Sequence, residues 1–256
     1  MRRVLITGGG RGIGRAIALR LAADGHAIAV TARSAGELEA VVAEARAAGA
    51  GGGAALTVDL ADPAAASALA GRAAEALGGP AEIFVHAAGI ASIAALPDLD
   101  PADWERAFAV NVHAAFRVAR ELVGPMAEAG WGRVVTIASL RARTGVPTTA
   151  AYTASKHALL GLTRVIAAEL APRGATANAV VPGWVDTQMV RDEIAAFAER
   201  RAISHADAAR RLLREQPIGR LLQPDEVAGM VAFLCTDAAG AVTGQAIHID
   251  GGSFQA

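Results

Sequence analysis

The 256-residue sequence predicts a single α/β domain with a doubly wound parallel sheet of about seven strands and helices on both faces. Short apolar runs alternate with longer segments whose apolar residues recur at helical spacing, which is typical of strand–helix–strand units. No linker divides the chain, and its length is sufficient for one large, well-buried core. We therefore expect one domain over residues 1–256, with a helical insertion at about 184–217.

The first third of the chain contains four predicted strands separated by helices. The strands are short and apolar, and the helices begin at a glycine turn or a capping residue. Ser34 is expected to cap the second helix, and Asp62 followed by Pro63 to start the third. A flexible glycine-rich turn is expected at 49–53. The strands are expected at 4–7, 27–32, 55–58 and 83–86, and the first two helices at 13–24 and from 34 to 48.

The rest of the chain continues the alternation with longer helices. One long helix is expected over about 103–129, and another contains Tyr152 and ends at about Leu170. Residues 182–217 interrupt the rhythm with polar, arginine-rich helical segments. The remaining strands are expected at 134–138, 177–181 and 246–249, and the last helix at 224–235.

Composition excludes several classes of protein. The net charge is −1 and the sequence pI is about 6.6, which gives no electrostatic attraction to nucleic acid or to an anionic membrane. No apolar run approaches the ~18 residues of a membrane span. Cys235 is the single cysteine, so neither a disulfide framework nor a cysteine-based metal cluster is expected. We expect a cytoplasmic protein without nucleic-acid, membrane or metal partners.

Two residues stand out because each occurs once: Tyr152 is the only tyrosine and Lys156 the only lysine. Their i,i+4 spacing places them on one helical face. A phenol titrates near ~10 in water, and a neighbouring ammonium favours the phenolate and lowers that pKa. We interpret the pair as an acid–base unit that neither Phe nor Arg could replace. The alternative is an amphipathic helix with the tyrosine packed inward and the lysine solvated.

A glycine-rich turn joins the first predicted strand to the first helix. Gly8, Gly12 and Gly14 follow the spacing G-x-x-x-G-x-G. Free backbone N–H groups at the positive end of the helix dipole can hold a pyrophosphate there, and glycines allow its close approach. The turn lacks the Gly-Lys-Ser/Thr of nucleoside-triphosphatase loops. The loop predicts nucleotide binding, with a plain tight turn as the alternative.

Together these motifs resemble the short-chain dehydrogenase/reductase family, in its compact, non-extended group, from Thr7 to Gly252. The glycines match the family's glycine motif, and Tyr152 and Lys156 match its Y-x-x-x-K motif. Further matches are Asn111, Ser139, Pro182, Gly183, Thr187, Asp250, Gly251 and Gly252.

The resemblance has one departure, at the end of the fourth predicted strand. The family's Asn-Asn-Ala-Gly is replaced by His86-Ala87-Ala88-Gly89. That motif is thought mainly to brace the sheet and approach the cofactor, so the departure concerns local hydrogen bonding. We interpret His86 as a core histidine and not as a catalyst.

The resemblance implies a Rossmann-type oxidoreductase that interconverts a ketone and a secondary alcohol by hydride transfer with an NAD(P)H cofactor. Tyr152 would exchange the proton, and Ser139 would hold the carbonyl oxygen. Lys156 would lower the tyrosine pKa and hydrogen-bond the nicotinamide ribose. Asn111 would hold a water that links Lys156 to solvent.

The end of the second predicted strand favours NADPH over NADH. An NAD enzyme of this kind usually places an acid there for the ribose 2′-OH, whereas this chain has Ala32 followed by Arg33. Arg33 and Arg11 could bind a 2′-phosphate. NADH is the alternative, with Arg33 covering the adenine or pairing with Glu37. The expected cofactor contacts are Gly8, Gly10, Arg11, Gly12, Ile13, Gly14, Arg33, Asp59, Ala88, Gly89, Tyr152, Lys156, Pro182, Gly183, Val185 and Thr187.

The substrate pocket is expected from the segments after the fifth and sixth strands. Residues 216–220 followed by 224–228 resemble 3-oxoacyl and polyketide ketoreductases, which favours an apolar ketone or a β-ketoacyl thioester on CoA or a carrier protein. Arg141 and Arg143 are candidate carrier contacts, or pair across subunits. The insertion at 184–217 would be a lid. The expected pocket comprises residues 140–146, Trp184, Val185, Met189, Ile194 and Phe197.

Three other functions stay open. An NAD-dependent secondary-alcohol dehydrogenase working oxidatively would use the same residues. A sugar-nucleotide epimerase of the extended group would share Y-x-x-x-K but carry a larger C-terminal domain. A non-catalytic nucleotide-binding regulator would have lost part of the set Asn111, Ser139, Tyr152 and Lys156, which is complete here. The resemblance also implies a homotetramer.

Overall fold

Seven strands form one parallel sheet within residues 1–255, the part of the chain that the computed structural model describes. The spatial order is β3-β2-β1-β4-β5-β6-β7, which confirms the predicted fold class. The strands are β1 Arg3–Thr7, β2 Ala27–Ala32, β3 Gly52–Thr57, β4 Ile83–His86, β5 Arg133–Ile137, β6 Thr176–Pro182 and β7 Ala246–Ile249.

Nine α-helices connect these strands in the described residues. None of them combines the length and the apolar character that a bilayer crossing requires. The helices are α1 Gly12–Ala23, α2 Ala35–Ala47, α3 Pro63–Leu77, α4 Pro101–Phe108, α5 Ala114–Ala129, α6 Ala150–Leu170, α7 Gln188–Arg201, α8 His205–Leu212 and α9 Pro224–Leu234.

Alternate residues of each strand enter two separate cores, one on each face of the sheet. In β1, Val4 and Ile6 pack with α1, α2 and α9, whereas Leu5 packs on the opposite face with α3, α5 and α6. All three side chains are fully buried. Strands covered on both faces need continuous apolar runs, and these runs are the signal that predicted the sheet.

The predicted caps form as expected. The Ser34 hydroxyl accepts from the Glu37 N–H at 3.4 Å, and the Asp62 carboxylate accepts from the Ala64 N–H at 2.9 Å. Each bond satisfies one of the N–H groups that the first turn of a helix leaves without an intrahelical partner.

The structure corrects two predicted elements. The single helix expected over 103–129 is divided by a π-helical turn, Ala109–His113, between α4 and α5. The flexible turn expected at 49–53 ends earlier, because β3 begins at Gly52 and pairs with Ala27 of β2. Backbone pairing with β2 overrides the low strand propensity of the glycines.

The polar insertion between β6 and α9 is helical, as predicted, and consists of α7 and α8. These helices bury a small apolar cluster of their own around Ile194, Ala198 and Ala208. Gln216, 1% exposed, closes the base of the insertion, because its side-chain oxygen accepts from the Trp184 N–H at 2.7 Å. The insertion is therefore anchored at both ends.

Candidate active site

The glycine turn lies where the strand order reverses, since β2 and β4 lie on opposite sides of β1. A Cβ at Gly8 would lie 2.7 Å from the Ala88 backbone, and a Cβ at Gly14 would overlap the Gly8 carbonyl. Gly8 and Gly12 adopt φ of +69° and +54°. Side chains are therefore excluded at Gly8 and Gly14, and the N–H groups of the first turn of α1 are available to an anion.

A cleft of about 850 Å³ opens at this edge of the sheet. Eleven of the predicted cofactor contacts line it: Gly8, Gly10, Arg11, Gly12, Ile13, Gly14, Arg33, Asp59, Ala88, Gly89 and Thr187. Its size and its backbone N–H groups fit a dinucleotide whose pyrophosphate lies on α1.

Five predicted cofactor contacts do not line this cleft: Tyr152, Lys156, Pro182, Gly183 and Val185. The Gly183 N–H donates to the Ile249 carbonyl at 2.9 Å, and the Gly183 Cα faces the Gln216 side chain. Val185 is 2% exposed and packs in the core beside Leu222. The turn after β6 is thus used to join β7 and the insertion.

Sequence analysis missed several residues of the cleft wall. Their side chains come from helices and turns that carry no motif, so no local signal identified them. They include Glu37, Ile90, Arg106, Val110, Asp186 and Arg191. Asp59 is near one of them, because its carboxylate lies 3.7 Å from the Arg106 guanidinium, and it also accepts from the Ala61 N–H at 3.0 Å.

Asn111 is fully buried in the π-helical turn, where it joins two distant parts of the chain. Its side-chain amide donates to the Ile90 carbonyl at 3.0 Å and to Ser155 Oγ at 2.9 Å, and its oxygen accepts from the Ile90 N–H at 2.9 Å. The Ser155 hydroxyl in turn donates to the Tyr152 carbonyl. Asn111 therefore fixes the loop after β4 to α6, and Ser155 is a part of this link that the sequence did not reveal.

Lys156 lies in the interior of the protein, 3% exposed. Its Nζ donates to the Ile137 carbonyl at 2.8 Å. Burial disfavours the ammonium and lowers the lysine pKa to about 8. A Cβ at Gly89 would come within 3.2 Å of this Nζ, so the lysine directly adjoins the cleft.

Tyr152 and Ser139 are neighbours, and neither residue is among those that line the cleft. Burial raises the tyrosine pKa, while a hydrogen bond from Ser139 and the charge of Arg141 lower it. Sequence analysis predicted the opposite, that the Lys156 charge would lower the tyrosine pKa. In the structure the ammonium hydrogen-bonds the Ile137 carbonyl and lies 5.6 Å from the centre of the phenol ring, and desolvation of the phenol has the larger effect on its pKa.

Two charged side chains, Arg141 and Glu193, lie near enough to Tyr152 to affect its pKa. Arg141, with an 18% exposed side chain, lies near the Trp184 ring and 3.8 Å from Glu215. Glu193 of α7 raises the Tyr152 pKa, and burial raises the pKa of Glu193 itself. The sequence identified Arg141 but missed Glu193, because only the fold of the insertion brings α7 towards α6.

The predicted substrate pocket is only partly assembled from the expected residues. Met189 lines the cleft and is 43% exposed. Ile194 and Phe197 instead pack inside the insertion against Ala208, since α7 and α8 must bury an apolar face between them. Val185 lies in the main core.

His86 is a core residue, as predicted, and is fully buried at the end of β4. Burial lowers its pKa to about 3, so the ring is neutral at physiological pH. Cys235 is also buried, and burial raises its pKa to about 12. The described residues contain no cluster of potential metal ligands.

Comparison with known proteins identifies the family. The family described as enoyl-(acyl carrier protein) reductase matches residues 8–253. The D-beta-hydroxybutyrate dehydrogenase of Cupriavidus necator is 37% identical over 98% of this chain and 97% of its own. The 3-oxoacyl-[acyl-carrier-protein] reductase MabA of Mycobacterium tuberculosis is 37% identical over 98% of this chain and 92% of its own.

A solved structure gives the same result. A tryptophan-substituted actinorhodin polyketide ketoreductase with NADPH superposes with a TM-score of 0.92 at 37% identity, covering 98% of this chain and 96% of that one. The chain therefore belongs to the short-chain dehydrogenase/reductase family and is an oxidoreductase that interconverts a ketone and an alcohol with a nicotinamide cofactor.

Proposed function

We propose that this enzyme is an NADPH-dependent reductase of a 3-oxoacyl thioester or a similar apolar ketone. The observation that carries the proposal is that the glycine cleft directly adjoins Lys156. Gly89 lines the cleft, and a Cβ there would lie 3.2 Å from Lys156 Nζ. A cofactor held on the glycine turn would thus extend towards Lys156, Tyr152 and Ser139.

The roles of the side chains follow from this arrangement. The bound nicotinamide supplies or accepts the hydride. Tyr152 gives its proton to the carbonyl oxygen, and the Ser139 hydroxyl holds that oxygen and stabilises its developing charge. The Lys156 ammonium stabilises the phenolate that the proton transfer leaves, and it would hold the ribose of a bound cofactor. Asn111 keeps the surrounding backbone fixed through its bonds to Ile90 and Ser155.

The raised pKa of Tyr152 supports the reductive direction. Burial keeps the phenol protonated at neutral pH, and a general acid must hold its proton until the transition state. Alcohol oxidation would require the phenolate, which burial disfavours.

The choice of NADPH rests on the charges at the end of β2. Arg33 and Arg11 line the cleft, and neither makes an ion pair with a described residue. No acid lies at the end of β2, because the strand ends at Ala32 and Arg33 follows it. Glu37 also lines the cleft and would oppose a phosphate, so the two arginines must outweigh it. The NADPH in the related actinorhodin ketoreductase supports the same choice.

The insertion is proposed to act as a lid over the substrate in a single domain that spans the chain. It carries Met189 into the cleft and Glu193 towards Tyr152. A carrier-linked or CoA-linked substrate would approach past its arginine-rich surface.

A second candidate substrate is a short hydroxy acid or its keto acid. Arg141 favours it, because a mostly buried guanidinium beside Tyr152 could pair with a carboxylate of the substrate. The relative from Cupriavidus necator is named for such a substrate. An Arg141→Gln variant that loses turnover of keto acids alone would favour this candidate.

We also propose that the enzyme is a cytoplasmic homotetramer. A shallow groove of about 230 Å³ lies between α5 and α6, and Phe116 and Val165 beside it are 48% and 55% exposed. Such an apolar surface suits burial against another subunit. The free, buried Cys235 fits a reducing compartment.

The first test is titration of the purified protein with NADPH and with NADH, followed by absorbance decay with keto acids, simple ketones and 3-oxoacyl thioesters. We expect tighter binding of NADPH and turnover of the thioesters. Tyr152→Phe should retain NADPH binding and lose roughly 10²- to 10⁴-fold in kcat. Cofactor binding without turnover in any assay would contradict the proposed reductase.

A further inference from the structure

His86 occupies a central position in the sheet at the edge of the candidate site. It ends β4, where it pairs with Thr7 of β1 and Thr136 of β5. Together with Ala87 it replaces the two asparagines of the family's Asn-Asn-Ala-Gly motif. A fully buried polar ring at this position requires hydrogen-bond partners.

The hydrogen bonds around Thr7 favour one tautomer of the ring. Thr7 Oγ1 lies 2.9 Å from His86 Nδ1, and it accepts from the Ala88 N–H at 3.4 Å. Within residues 1–255 Nδ1 is the one acceptor within reach of the Thr7 hydroxyl hydrogen, so that hydrogen is paired only if the ring hydrogen of the neutral histidine is on Nε2.

The Nε2 side of the ring faces the π-helical turn. The backbone carbonyls of Val110 and Asn111 lie beside it and favour a ring N–H, and the Lys156 charge is also near. No described residue completes a hydrogen bond to Nε2 in strict geometry. The donor is thus directed at the backbone of the residue whose side chain links Ile90 to Ser155.

We propose that His86, held by Thr7 as the Nε2–H tautomer, is a positioning residue that orients the π-helical turn at Asn111. This role rests on the proposed function, because the turn that His86 orients carries Asn111, and Asn111 hydrogen-bonds Ser155 on the helix that bears Tyr152 and Lys156. The ring does not touch the substrate. Where the family has an asparagine, this chain has a longer side chain whose Nε2 is directed at the carbonyls of the turn.

The proposal makes separate predictions for structure and for rate. Nitrogen-15 NMR of histidine-labelled protein should show His86 as the neutral Nε2–H tautomer at neutral pH. Thr7→Val should abolish the preference for that tautomer, while Thr7→Ser should retain it. A wild-type ring in the Nδ1–H form, or in the charged form, would overturn the proposal whether or not any substrate is turned over.

Kinetics then distinguish positioning from simple packing. His86→Leu should lower kcat roughly 10- to 100-fold with little change in the Kd for NADPH, because misalignment affects the reacting groups and not the glycine cleft. His86→Asn should recover most of that loss, because an amide also donates. Thr7→Val should lower kcat in the same way, which keeps the test informative if His86→Leu does not fold.

The matched control is His113, an exposed histidine on the same π-helical turn. His113→Leu should leave kcat, the Kd for NADPH and the His86 resonances unchanged. If His86→Leu folds and keeps its kcat, or if His86→Asn is as slow as His86→Leu, the positioning role is wrong. Wild-type protein without any turnover would instead contradict the proposed function, and the tautomer would still decide the arrangement of His86.

Discussion

Burial shifts the two titratable groups of the candidate site in ways that suit reduction. The pKa of Tyr152 is raised, so the phenol keeps its proton, whereas that of Lys156 is lowered to about 8, so the ammonium persists at neutral pH but not far above it. In both cases desolvation favours the neutral form. At neutral pH the Tyr152 phenol is therefore protonated while the Lys156 ammonium is charged.

The lysine pKa predicts the pH dependence of reduction. Lys156 is cationic below about pH 8 and neutral above it, so kcat should fall as the pH rises through about 8, when the phenolate loses its charged partner. The measurement is kcat for ketone reduction between pH 6 and pH 10 with saturating cofactor. A rate that stays constant to pH 10 would show that the ammonium is not required.

The cofactor preference can be tested at Arg33. Removal of the guanidinium in Arg33→Ser should weaken NADPH binding by roughly 10- to 100-fold, the value of one charge-assisted bond, and leave NADH binding nearly unchanged. Binding constants from fluorescence titration measure this. Arg173→Ser, at an exposed turn far from the cleft, is the control. Equal loss for both cofactors would mean that Arg33 does not read the 2′-phosphate.

His86 should also make the protein sensitive to acid. Its pKa is about 3 in the folded protein against 6.5 in a model peptide, so the unfolded chain binds more protons between these values. The free energy of unfolding should therefore decrease as the pH falls from 6.5 towards 3, by up to about 1.4 kcal/mol per pH unit. His86→Asn should lack this part of the slope. Denaturant titrations of both proteins at pH 6 and pH 4 measure the difference, and parallel slopes would contradict it.

At the scale of elements, the π-helical turn Ala109–His113 is the decisive irregularity. It inserts between α4 and α5 and leaves Asn111 fully buried with its side chain directed at Ile90 and Ser155. Such turns are rare and are found mostly at functional sites. In this turn Val110 lines the cleft, while the next residue, Asn111, hydrogen-bonds Ser155 of α6.

The insertion formed by α7 and α8 has a small core that can be disrupted on its own. Ala208 is fully buried there, so Ala208→Asp places an unpaired carboxylate in an apolar cluster and should open the hairpin. We expect the KM for the ketone to rise roughly tenfold as the lid fails to close, with NADPH binding preserved. Limited proteolysis should cut within 184–217.

The control for this substitution lies on the same helix. Ala206 is exposed in the first turn of α8, where a carboxylate favours the helix dipole, so Ala206→Asp should be neutral. If Ala208→Asp leaves KM unchanged while proteolysis shows that the hairpin has opened, α7 and α8 do not act as a lid.

At the scale of the whole molecule, the two cores and the cleft belong to one continuous sheet. The α5–α6 face carries a groove, and the exposed Phe116 and Val165 are among the residues that line it. A charge introduced at one of these side chains should prevent subunits from packing there.

Val165→Glu should therefore lower the oligomeric state. Light scattering after size-exclusion chromatography should give four times the 25.9 kDa chain mass for the wild type and a smaller assembly for the variant. Leu96→Glu changes a side chain that is 72% exposed outside the groove and should keep the tetramer. A tetrameric Val165→Glu protein would locate the interface elsewhere.

The amino-acid sequence was sufficient to predict the fold class, the glycine turn and the approximate position of every strand except the start of β3. Strands buried on both faces need apolar runs, helices need caps and stripes, and the turn at Gly8 and Gly14 tolerates no side chain, so each feature leaves a local trace. Tyr152 and Lys156 were found for a related reason: each is the single residue of its type.

The behaviour of these residues depends on tertiary packing. The break in the helix at Asn111, the approach of Glu193 to Tyr152 and the burial of Val185 depend on contacts between segments distant in the chain. The rise in the tyrosine pKa follows from burial, and the tautomer proposed for His86 follows from its contact with Thr7. Desolvation and hydrogen-bond direction are properties of the packed site, and residue spacing carries no information about either.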